Sequence, residues 1–103
     1  MKKTEQNRFT IKAIKEMLRA FPGWSYKTKE KTIEKTFDRK NFLGCAAFIQ
    51  QIANVAEKQD HHPDILLSGY KNVKVMLSTH SAKGITQNDF DLAKAIDKLA
   101  AKK

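Results

Sequence analysis

The sequence predicts an α+β fold: a four-stranded antiparallel sheet with helices packed on one face, in the order α-β-β-α-β-β-α. Three observations predict it. Apolar residues recur at spacings of three and four in three segments, and they alternate with polar residues in short segments between these. Most changes of period fall at a helix-capping residue or a turn residue. With 103 residues, 41% of them hydrophobic, the chain supports one domain and one modest core across 1–103, of which 1–9 is expected as a frayed tail.

Each element has a local cause. Thr10 is placed to cap a first helix carrying Ile11, Ile14, Met17, Leu18 and Phe21 on one face, and Phe21-Pro22-Gly23 ends it. Trp24 and Tyr26 alternate with polar residues, as do Ile33, Lys35 and Phe37 beyond a charged turn, which suggests a hairpin with one wet face. Asn41 caps the longest helix, about 42–58, whose expected packing stripe is Phe42, Ala46, Ile49, Ile52 or Ala53, and Ala56. Pro63 cannot lie inside that helix and biases His62 towards an extended backbone. Ile65–Leu67 reads as a short strand and Val73, Val75 and Leu77 as another, with a turn at Gly84. Thr86-Gln-Asn-Asp89 resembles a capping box with Asp in place of Glu, ahead of Phe90, Ala93, Ile96, Leu99 and Ala100. Trp24, Phe37, Phe42, Phe48 and Phe90 are expected in the core.

Composition excludes several classes. No apolar run approaches the length of a bilayer span, and the first eight residues lack the apolar core of a signal peptide. The single cysteine, Cys45, permits no internal disulfide and fits a reducing compartment. A cytoplasmic domain without a membrane partner is therefore expected. The net charge of +9 is uneven: residues 1–41 hold 12 Lys/Arg against 5 Asp/Glu, and residues 42–103 hold 8 against 6. Lys27, Lys29, Lys31 and Lys35 are spaced as one face of strands. Without an Arg cluster, zinc-finger spacing or Arg-flanked stacking aromatics, they read as a solvated outer face with weak attraction for anions, and a nucleic-acid partner is not expected.

All three histidines, His61, His62 and His80, fall within twenty positions, among Glu57, Asp60, Asp64 and Asp89. Imidazole exchanges its proton near neutral pH and is the usual general acid or base. Three readings are open from composition alone. Three histidines could bind zinc, although adjacent His61 and His62 rarely point the same way and no cysteine assists. They could be capping or surface residues without a chemical role. They could form a metal-free acid/base site, because a helix end, a strand end and a helix start can converge on one cleft. Glu57 and His61, four apart, meet if the helix continues to His61.

The run Glu57-x3-His61-His62-Pro63-x6-Tyr70-x9-His80-x8-Asp89 resembles the signature of the pterin-4a-carbinolamine dehydratases. The likeness extends to Ser78-Thr79-His80, Gly84-Ile85-Thr86 and Leu92-Ala93, and upstream to Gly23-Trp24, Phe37 through Phe42, and Ala56-Glu57, about residues 20–97. Ile65 departs from the aromatic residue, typically Trp, often found two positions after the proline. The interval from Pro63 to Tyr70 is the longer of two family variants.

The resemblance implies dehydration of 4a-hydroxytetrahydrobiopterin to quinonoid dihydropterin, recycling the pterin used by aromatic amino acid hydroxylases. The pterin is then the substrate, and no cofactor or metal is needed. It implies proton transfer by His61 and His80, with His62 holding the pterin. Glu57 and Asp89 would orient imidazoles, Pro63 would shape the backbone, and Asp60, Ser78, Thr79 and Ser81 would meet the polar edge of the substrate. It further implies a homodimer or homotetramer. The alternative is a non-enzymatic role, since some members of this family act as dimerisation cofactors for a homeodomain transcription factor.

Overall fold

The element order follows the sequence pattern. In the computed structural model, which describes residues 8–101, helix α1 (Ile11–Leu18) precedes strands β1 (Ser25–Lys27) and β2 (Thr32–Asp38). Helix α2 (Phe42–Gln59), strands β3 (Asp64–Ser68) and β4 (Asn72–Leu77), a 3₁₀ turn at His80–Ala82 and helix α3 (Gln87–Ala101) complete it. The sheet order is β1-β2-β4-β3 with every neighbouring pair antiparallel. The central strands β2 and β4 thus come from different halves of the chain, and their pairing closes the domain.

The caps act as predicted. The Thr10 side chain accepts from the Ala13 N–H, and Asn41 Oδ1 accepts from the Gly44 N–H at 2.7 Å. Gly44 permits this start of α2, because a methyl group there would collide with the Arg39 carbonyl. Gly23 turns the chain out of the first helix with φ of 90°.

Alternation gives the sheet two faces. Ile33 and Phe37 of β2 and Val73, Val75 and Leu77 of β4 point into the core against Ile14, Phe48, Ile52, Phe90 and Ile96 of the helices. At the rim of the core the Trp24 indole N–H donates to Asp97 at 3.1 Å, and the same carboxylate holds the Lys35 ammonium at 3.0 Å. A lysine on the inward face of β2 is thereby neutralised.

Three expectations need correction. The buried stripe of α2 is Cys45, Phe48, Ile52 and Ala56, while Phe42 is 60% exposed and Ala46 is exposed. Phe48 sets that phase: its ring packs edge-on against Phe37 of β2 at 5.1 Å, which rotates Phe42 and Ala46 outward. Lys29 and Lys31 lie in the β1–β2 turn and not on a strand face, because β1 is only three residues long. The predicted fraying does not reach Phe9, which donates its N–H to the Ile85 carbonyl at 2.8 Å and packs on Phe90. Arg8 bonds the Ala82 carbonyl, and the rest of that expected tail lies outside the described residues.

Truncating the ring at the centre of this packing, Phe48→Ala, is expected to lower the unfolding free energy by about 3–5 kcal/mol. Urea denaturation checks it, and a loss below about 1 kcal/mol would mean that Phe48 does not set the phase of α2.

Candidate active site

Helix α2 ends where the histidine pair begins. Asp60 adopts the left-handed conformation, φ 52°. Its N–H bonds the Glu57 carbonyl at 3.2 Å, and the His61 N–H bonds the Ala56 carbonyl at 3.1 Å. These are the paired bonds of a Schellman motif, usually closed by glycine, and aspartate is among the few side chains that enter this backbone region readily. The motif takes His61 off the helix axis, and Pro63 sends the chain extended into β3.

The expected contact between Glu57 and His61 along a continued helix is therefore lost. Glu57 pairs instead with His62, Oε2 to Nε2 at 2.7 Å, with the two side chains 76% and 58% exposed. His61 turns inward to the start of α3, where its Nε2 lies 2.6 Å from Asp89 Oδ1. A carboxylate only accepts, so Nε2 carries the proton and Nδ1 is the nitrogen left over.

Asp89 has no solvent exposure. Its second oxygen accepts from the Thr79 hydroxyl at 2.8 Å and from the Thr86 N–H at 3.0 Å. The Asn88 N–H donates to Thr86 Oγ1 at 3.2 Å, and Thr86 Oγ1 lies 2.8 Å from Thr79 Oγ1. With Thr79 donating to Asp89, the shared proton between the threonines belongs to Thr86, and the bonds run in one direction and reinforce each other. Asp89 is thus both the capping-box residue of α3 and the partner of a histidine.

A cavity of about 540 Å³ lies on the sheet face turned away from the helices, at the end where β4 finishes and β3 begins. His62, Asp64, Met76, Ser78, His80 and Glu34 contribute to its wall. Its size suits a small heterocycle. His80 opens the 3₁₀ turn beyond β4, and among the described residues none bonds its ring.

The sequence-derived candidates divide accordingly. His62, His80 and Ser78 reach the cavity, whereas His61, only 12% exposed and held on Asp89, is not part of its wall. Thr79, expected to meet a substrate, is buried with its hydroxyl turned to Asp89 and Thr86. Asp60 terminates α2, Pro63 aims the chain, and Ser81 lies exposed on the 3₁₀ turn, all off the cavity wall. Glu34 and Met76 were not singled out from the sequence, and Asp64 only as one of the carboxylates near the histidines. Strand alternation does place Glu34 and Met76 on outward faces, but only the register sets them side by side. Among the described residues, no group of three His, Cys, Asp or Glu side chains has the arrangement of a metal site, and no helix is long and apolar enough to cross a membrane.

Residues 7–99 match the family described as pterin 4 alpha carbinolamine dehydratase. A protein of Hydrogenovibrio crunogenus, provisionally named a pterin-4-alpha-carbinolamine dehydratase, is 47% identical over 89 residues, 86% of this chain and 78% of its own. A Picosynechococcus protein of the same provisional name is 46% identical over 92 residues, 89% of this chain and 97% of its own. The crystal structure of a transcriptional coactivator/pterin dehydratase from Brucella melitensis is similar with a TM-score of 0.85 and 37% identity, covering 92% of this chain and all of that one. A pterin dehydratase-like protein identified as a RuBisCO assembly factor in the alpha-carboxysome shares the fold, with a TM-score of 0.64 and 22% identity over 79% of this chain and 93% of its own.

The two imidazole–carboxylate pairs differ in burial, and their removal should differ in cost. Asp89→Ala strands His61, Thr79 and the Thr86 N–H and is expected to lower stability by about 3–5 kcal/mol. Glu57→Ala, at an exposed pair, is expected to cost less than about 1 kcal/mol. Urea unfolding of both variants gives the comparison, and equal losses would contradict the burial argument.

Proposed function

The chain belongs to the pterin 4 alpha carbinolamine dehydratase family, and on that premise we propose that it converts 4a-hydroxytetrahydrobiopterin into quinonoid dihydropterin and water. The reaction would recycle the pterin of aromatic amino acid hydroxylases in the cytoplasm. The observation that carries the proposal is the convergence of His62 and His80 on one cavity, with His61, the chain neighbour of His62, held in place by Asp89.

The substrate is a carbinolamine, with a hydroxyl on C4a next to a ring N–H. An imidazolium gives its proton to the departing hydroxyl, and the C4a–O bond breaks to release water. A second imidazole takes the proton of the adjacent ring nitrogen, whose electron pair closes the C=N bond. Atoms and charges balance without oxidant, metal or covalent intermediate, so the pterin is substrate and no cofactor takes part.

We assign the hydroxyl proton to His80, whose ring has no partner among the described residues, and the ring proton to His61 through Nδ1. Asp89 holds the tautomer of His61 and stabilises the imidazolium that forms. His62, held by Glu57, would grip the pterin from the wall, and Ser78 would meet its polar edge.

The same reading includes self-association into a homodimer or homotetramer. It is supported by the edge position of β3 and by Phe42 and Leu43, 60% and 81% exposed at the start of α2. A coactivator role, suggested by the name of the Brucella melitensis protein, ranks second because the histidine constellation has no part in it.

Dehydration of freshly generated 4a-hydroxytetrahydrobiopterin, followed by ultraviolet absorbance, tests the proposal. His80→Ala is expected to lower kcat by about 10²–10⁴-fold with its urea midpoint unchanged. A wild-type protein that does not exceed the spontaneous rate would refute the activity. Full kcat in His61→Ala with loss in His62→Ala would move the second proton transfer to His62.

A further inference from the structure

We propose that Glu34 is the residue that recognises the amino edge of the pterin, which deepens the dehydratase function proposed above and rests on it. Register supplies the first observation. Glu34 of β2, Met76 of β4 and Asp64 of β3 are direct cross-strand partners in one row, and all three line the cavity. Their chain neighbours Ile33, Val75 and Leu77 are buried in the core, so Glu34 and Met76 stand on the opposite, open face. Met76 lies between the two carboxylates, a soft thioether suited to the flat face of a heterocycle.

The second observation is how Glu34 is held. It is 7% exposed on a central strand, where a carboxylate must be compensated. The Thr32 hydroxyl donates to Oε2 at 2.7 Å, and the Lys74 ammonium lies 3.4 Å from Oε1. Among the described residues each oxygen thus has one partner, and a carboxylate offers about four acceptor directions. Two acceptor directions remain on a group whose rotamer is fixed from two sides. The aminopyrimidine of a pterin presents N3–H and its 2-amino group as two parallel donors. That is the fork geometry with which a carboxylate also receives a guanidinium.

Position supplies the third. In the pyrimidine ring C2 lies directly across from C4a, the carbon that loses the hydroxyl. Whatever holds the 2-amino group must therefore face the acid/base residues across the ring. His62 enters the cavity at the start of β3, two strands from Glu34 on β2, and His80 enters beyond the end of β4, past the row in which Glu34, Met76 and Asp64 stand. Two strand spacings of about 4.8 Å separate β2 from β3, enough for one ring with a hydrogen bond of about 2.9 Å at its amino edge. Asp64 follows His62 and Pro63 in the chain and stands on the histidine flank, so it cannot serve from the opposite side.

If Glu34 merely paired with Lys74 across the sheet, its loss would lower stability and leave pterin selectivity unchanged. The discriminating probes are 7,8-dihydropterin and its 2-desamino analogue, titrated calorimetrically into wild type and Glu34→Gln. The glutamine is nearly isosteric and replaces one acceptor by a donor. Wild type is expected to prefer 7,8-dihydropterin by about 10–100-fold, the worth of a charge-assisted hydrogen-bonded pair. Glu34→Gln should lose that preference while binding the analogue as wild type does, and its KM for the 4a-hydroxy substrate should rise by about the same factor with kcat nearly unchanged. Equal binding of the two pterins by wild type, or equal weakening of both by the substitution in a protein with native urea unfolding, would overturn the role of Glu34 with dehydration intact. Absence of dehydration by wild type would instead overturn the reaction itself.

Discussion

A carboxylate with no exposure to solvent must have its acceptor sites filled by donors that do not move away, because an unpaired buried charge costs several kcal/mol. Asp89 meets this condition by drawing donors from separate parts of the chain: His61 beyond α2, Thr79 beyond β4 and the Thr86 N–H at the start of α3. Their spacing in sequence is large, but in the fold they must lie within hydrogen-bond distance of one carboxylate. The placement of the 3₁₀ turn, and with it His80, follows from the same knot, since Thr79 is the residue before it and pairs with Gly84 across the turn.

The sheet divides the labour between packing and chemistry. One face carries β-branched and aromatic side chains into the helices, and the other keeps a row of carboxylates, lysines and a methionine open to a ligand. A ligand held there touches a rigid strand surface along its plane and element ends along its reactive edge. That arrangement suits acid/base chemistry, in which a flat substrate must be held still while protons arrive from the side. It also explains the two histidine pairs at different depths. His61 is locked by a buried partner and contributes a fixed nitrogen, whereas His62 and Glu57 sit in solvent and can adjust.

Much of this was readable from residue spacing, and the failures have identifiable causes. The caps at Thr10, Asn41 and Thr86 were legible because each depends on a side chain and a backbone N–H two or three positions away. The phase of α2 was not, because Phe42 and Ala46 are as apolar as Cys45 and Phe48, and the choice between stripes depends on where Phe37 stands across the sheet. Glu57 was expected on His61 because an unbroken helix puts residues four apart together. A left-handed Asp60 redirected the chain one residue early and handed Glu57 to His62.

By itself the sequence determined the element order, the antiparallel sheet, the capping residues and the histidine set, since all of these follow from local periodicity and from side chains acting within a few residues. Tertiary structure alone decided which imidazole meets which carboxylate, why Thr79 faces inward, and that Glu34, Met76 and Asp64 form one row under the cavity. Those outcomes depend on strand register and on the direction in which a helix end releases the chain. A shift of one residue in register would reverse every side chain on a strand, and no local pattern records which register the distant partner strand will impose.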